Sequence, residues 1–225
     1  MSEASRTENH ESANRMDPRF RVVAGVIGLA GAAALGTQVW LNIARDGTGV
    51  LTTVWALAGF FTILTNTLVA ATFLRIALTG QRPGYGWMST LTVSMIMVAG
   101  VYHVMLAHLY HFVGLNWWTD QMFHTVMPAL TVWFWLMETT RRAPRDGRPF
   151  LWLAWPAAYA VYMLARGAVT GWYPYPFMDP VATSWGSVAQ VLAMFIAGTA
   201  ALAFAAHALG RAMPLRQPSG RRDRD

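Results

Sequence analysis

Long apolar runs alternate with short polar stretches along this chain. The runs fall at about 20–43, 54–78, 87–111, 119–138, 150–169 and 185–209. Each is close to the ~20 residues a helix needs to cross a hydrocarbon core. The pattern predicts an all-α polytopic membrane protein with six transmembrane helices. The first run contains Gly31-Ala32-Ala33-Ala34, small residues of the kind found at signal-peptide cleavage sites. A signal h-region is only about 7–15 residues, however, and Phe20 to Leu41 is longer, so this run is read as a span. Residues 1–18 are polar and mixed in charge, and residues 211–225 are rich in arginine. Neither segment can bury enough apolar surface to fold alone, so both are expected to be disordered tails on a transmembrane domain at 19–210.

Composition sharpens this picture. Of 225 residues, 55% are hydrophobic and 12% charged, about half the roughly 25% charge of a soluble domain. Cysteine is absent, which removes disulfides, Fe–S clusters, c-type haem attachment and thiol catalysis. All 17 basic residues are arginine and the net charge is +6. They lie between apolar runs rather than in a patch interleaved with aromatics, so no nucleic-acid partner is expected. Fifteen of the arginines precede the first run, join runs two and three or four and five, or follow the sixth. Only Arg45 and Arg166 fall on the other side. The positive-inside rule then puts both termini in the cytoplasm.

Polar groups within a span are costly and call for a partner or a task. In the second run, Thr62, Thr65 and Asn66 stand at i, i+3 and i+4, on one helix face. They can serve packing, with Thr62 bonded to the carbonyl of Ala58 and Asn66 bridging helices. They can also serve chemistry. Four of the six histidines, His103, His108, His111 and His124, cluster in the outward half of runs three and four. Thr62, His124 and His103 each lie seven residues below an interfacial aromatic, Trp55, Trp117 and Tyr110, or about 10 Å at ~1.5 Å per residue. A hydroxyl and two imidazoles at one depth form a possible nucleophile–base set. The same histidines leave open a non-catalytic protein that binds haem, metal or a lipid through this cluster. A zinc site would need mostly His ligands, with Asp120 the one nearby carboxylate. Haem would need a facing pair such as His103 and His124, and the inner half offers only His207. Before the sixth run, Tyr173-Pro174-Tyr175-Pro176-Phe177 reads either as an interfacial anchor or as a rigid lid over an outward cavity.

Phe61-Thr62-Ile63-Leu64-Thr65-Asn66, His124-Thr125-Val126-Met127-Pro128 and Tyr175-Pro176-Phe177 occur in this order. Over roughly residues 20–210 the chain resembles the androgen-induced family of six-span membrane proteins and its bacterial relatives. Characterised animal members hydrolyse fatty acid esters of hydroxy fatty acids with an intramembrane Thr and His. The animal proteins have other residues where this chain has Thr65-Asn66, a departure that bears on substrate more than on fold. The resemblance implies Thr62 as nucleophile and His124 as general base of an intramembrane lipid-ester hydrolase in a bacterial cytoplasmic membrane. Its partner would be a membrane lipid or acyl ester, and no metal or cofactor is called for. One turn from Thr62, Asn66 and Thr65 are candidate oxyanion donors, while His103 could orient His124 or replace it. Nothing in the pattern specifies an oligomer.

Overall fold

The computed structural model describes residues 15–139 and 148–213. Among these residues the chain is helical, with no strand. Four helices, Pro18–Asp46, Phe61–Thr79, Tyr85–Leu109 and Trp185–Ala212, are long and apolar enough to cross a membrane. This is an all-α membrane protein.

Helix α1 (Pro18–Asp46) starts where the Asp17 carboxylate accepts from Arg19 N at 2.8 Å and ends at Gly47, whose φ of 64° favours glycine. Then come α2 (Val50–Leu57) and α3 (Phe61–Thr79). Helix α4 (Tyr85–Leu109) widens into a π turn at Tyr102–Leu106. Helix α5 (114–139) contains π turns at Met122–Val126 and Trp135–Thr139. Its first turns hold Asn116, Asp120, Gln121 and His124, which makes it less apolar than the four spanning helices. Helix α6 (149–170) opens with a 3-10 turn at Pro149–Leu153, and α7 (Trp185–Ala212) is capped by Ser184 accepting from Ser187 N at 3.1 Å.

The run at 54–78 is not the single helix its apolarity predicts. It breaks at Ala58–Phe60, with Phe60 extended (φ −95°, ψ 130°). The break persists because α6 satisfies its carbonyls. Tyr159 donates to Gly59 O at 2.8 Å, Tyr162 to Ala58 O at 3.1 Å and Arg166 to Trp55 O at 2.7 Å. Arg166 also stacks on Trp55, 4.3 Å from the ring centre, worth about 0.5–2 kcal/mol. Gly59 has no room for a side chain, since a Cβ there would meet Trp172 at 2.6 Å and Arg166 at 2.7 Å.

Helices α1, α3, α4 and α5 share one core around Ile27, Phe73, Ile76, Leu91, Met127 and Phe134. Small residues bring α1 onto α3: a Cβ at Gly28 would meet Leu74 N at 2.8 Å, and one at Gly31 would meet Ala70 at 3.1 Å. At the arginine-rich end, Arg21 donates to the carbonyls of Ala77 and Leu78, and Arg82 pairs with buried Glu138 and bonds Arg15 O. Met16 is buried and donates to Gly80 O at 2.8 Å, so order begins inside the segment read as a tail. At the other boundary α7 runs on to Ala212. The rest of both expected tails, 1–14 and 214–225, lies outside the described residues. Helices α6 and α7 pack on the four-helix group through two smaller clusters, one with Phe61 and Leu64 of α3 and one with Val93 of α4, leaving a cavity between them and that group.

Candidate active site

The cavity measures about 200 Å³ and its wall is mostly apolar. Its lining residues that carry a hydroxyl or a ring nitrogen are Thr62, Tyr102, His124, Tyr159, Tyr175 and Thr199.

Thr62 is the second residue of α3. In these helices Thr67, Thr92, Thr131 and Thr199 each bond the carbonyl four residues back, at 2.8, 2.8, 2.7 and 2.6 Å. For Thr62 that carbonyl precedes the helix and is occupied by Tyr162. The Thr62 hydroxyl is therefore not tied to its own backbone, and its neighbour is the Tyr175 hydroxyl.

His124 sits in the π turn of α5, a feature common at functional sites. Its Nδ1 lies 3.1 Å from Asp120 Oδ1 and 3.0 Å from Asp120 O. Both are acceptors, so in the neutral ring Nδ1 carries the proton and Nε2 the lone pair. No described protein group bonds Nε2. Tyr102 stacks on the imidazole, with centroids 3.9 Å apart and planes 12° from parallel, and its hydroxyl donates to Asp120 Oδ2. Gln121 Nε2 donates to the same oxygen at 3.3 Å. The buried carboxylate is thus held at both oxygens and turned toward the ring.

Asn66 joins the two catalytic candidates' helices. Its amide donates to Thr62 O at 2.9 Å and to Phe123 O, next to His124, at 3.3 Å. Thr65 is fully buried and accepts from the Trp155 indole at 3.1 Å. Neither lines the cavity. His103 is exposed and bonds Thr125 Oγ1 at 3.1 Å, outside the cavity. His108 and His111 are also exposed, and no three His, Cys, Asp or Glu side chains gather among the described residues.

Of the segment before α7, Tyr175 and Phe177 line the cavity, their rings stacked 5.4 Å apart. Tyr173 packs onto Gly167, where a Cβ would meet its ring at 2.1 Å. Pro176 opens a short 3-10 turn and Pro174 links the two tyrosines outside the lining. Tyr175 Oη accepts from Phe61 N, a first-turn donor of α3, at 3.3 Å. Burial pushes the Tyr175 phenol above its ordinary range, so it remains a protonated donor at neutral pH.

Asp120, weighed in the sequence only as a metal ligand, is the residue that reading missed. Its signal was a carboxylate one helical turn before a membrane histidine. Comparison of the chain with family models, with curated proteins and with solved structures gives no match.

Proposed function

We propose that this chain is a six-span protein of a bacterial cytoplasmic membrane, both ends cytoplasmic, that hydrolyses lipid esters. One observation carries the reading: a threonine whose hydroxyl makes no bond to its own helix and a histidine whose Nε2 has no described partner line the same apolar cavity. The resemblance to the androgen-induced family points the same way. In the first step, His124 Nε2 takes the Thr62 proton as Oγ1 attacks the ester carbonyl. Asp120 steadies the imidazolium that forms, as the carboxylate of a hydrolytic triad does. The Tyr175 hydroxyl, which accepts from Phe61 N, directs its own proton toward the oxyanion. His124 then protonates the departing alkoxide, leaving acyl-Thr62. Water enters, gives its proton to His124 and releases the acid, and the proton returns to Thr62.

A fluorophosphonate probe tests this without knowledge of the natural substrate. The purified parent is labelled, Thr62→Ser retains labelling, and Thr62→Val, which keeps the shape without the oxygen, does not. Equal labelling of Thr62→Val would end the assignment.

A further inference from the structure

Helices α6 and α7 touch at their two ends and part between them. Toward the Trp55 end, Tyr159 and Met163 of α6 pack with Met178 and with Val188 of α7. At the arginine-rich end, Trp152 packs with Ala203 and with Val93 of α4. Between these contacts the cavity is lined by Leu153, Pro156 and Ala157 of α6 and by Leu192, Phe195, Ile196 and Thr199 of α7, with Ala160 just beyond Tyr159. Ala157 and Ile196 line the cavity and are exposed, Ile196 at 53%. Each helix thus carries a residue that lines the cavity and also reaches the protein surface.

Away from Thr62 and His124 the cavity continues toward the arginine-rich end, walled by Met97, Val98, Leu153 and Ala157. Ala160 to Leu153 is seven residues, or about 10 Å of helix. An extended chain advances about 1.2 Å per bond, so this arm accepts about eight carbons.

We infer that the arm binds the acyl chain of a membrane lipid, which enters sideways from the bilayer between α6 and α7. Only the direction of the chain, carbonyl end at Thr62 and His124, rests on the hydrolase reading. The arm's wall has no charged group, and Thr199 bonds its own carbonyl at Phe195. An acyl chain therefore loses no polar partner on entry and exchanges lipid neighbours for protein ones.

The test is photolabelling of the full-length protein in nanodiscs, with a fatty acid bearing a diazirine about halfway along its chain. Labelled peptides are mapped for the parent, Ala157→Trp, Ala160→Leu and Thr62→Val. Adducts are expected on the peptides holding Met97–Val98 and Thr199, several-fold weaker in Ala157→Trp and Ala160→Leu. Labelling in Thr62→Val should equal that of the parent. Adducts confined to lipid-facing peptides such as those of Val22, Leu29 and Val161, insensitive to either alanine substitution, would overturn the site. Because labelling needs no hydrolysis, cavity adducts on a protein inert toward esters support the acyl site and remove the hydrolase reading alone.

Discussion

A threonine within a helix uses its hydroxyl on the carbonyl one turn back, and among the described helices Thr67, Thr79, Thr92, Thr131, Thr170 and Thr199 do so. Thr62 differs because its helix starts one residue earlier. In ester hydrolysis, Thr62→Val should lose at least about 10³-fold in kcat/KM and His124→Ala a similar factor. The double variant should be little worse than either, since groups acting as one unit give non-additive losses. Additive losses in that cycle would mean that the two do not work together. Asp120→Asn separates orientation from charge. The Asp120 backbone carbonyl, at 3.0 Å, still holds the Nδ1 proton, so the tautomer survives and only the charge beside the imidazolium is lost. The expected fall in kcat is about 10–100-fold, below the ~10⁴ seen where such a change also reverses the tautomer. Tyr175→Phe removes the donor proposed for the oxyanion and should lower kcat by about 10²-fold with fluorophosphonate labelling still detectable.

The break between α2 and α3 makes this chemistry possible, and α6 maintains it. Gly59→Ala should push Trp172 and Arg166 off the break, and Gly167→Ala should displace Tyr173, at about 1–3 kcal/mol each. Gly36→Ala, where nothing lies within 4 Å, is the neutral control. Thermal unfolding in detergent reads all three, and an unchanged Tm in Gly59→Ala would contradict the tight packing. None of this was visible in the apolar pattern, which runs unbroken from 54 to 78. The groups that hold the break are about 100 residues distant, Tyr159 on Gly59 being separated by 100. Apolar length did locate the four long apolar helices, because it depends on neighbours alone. Depth arithmetic brought Thr62 and His124 level, and both reach the cavity. It also brought His103 level, but depth is not direction. Successive residues project about 100° apart around a helix. With Tyr102 turned to the cavity, His103 faces away toward Thr125. Asp120 and His124, at i and i+4, were readable as a pair, whereas Tyr102, which completes their geometry, joins only through the fold.

Across the whole molecule, charge is distributed as a membrane demands. The order of the apolar runs assigns fifteen of 17 arginines to one expected side, and among the described residues the segments at Arg15, Arg82 and Glu138 meet. The two at the opposite end are both held by the protein. Arg45 pairs with Asp46 at 2.7 Å, and Arg166 bonds Trp55 O while stacking on Trp55 and Trp172 at 4.3 and 5.4 Å. Being two against fifteen, they do not oppose the orientation expected from the others. Reporter fusions after Gly147, which lies outside the described residues, and after Gly210 should therefore behave as cytoplasmic, and one near Asn116 as external. Freeing the held charge tests the same logic. Asp46→Ala leaves Arg45 unpaired, yet it adds one free charge against fifteen, and the fusion pattern should not change. An external signal at Gly147 would reverse α5 and α6 relative to the membrane. It would also separate His124 from Thr62, which line one cavity.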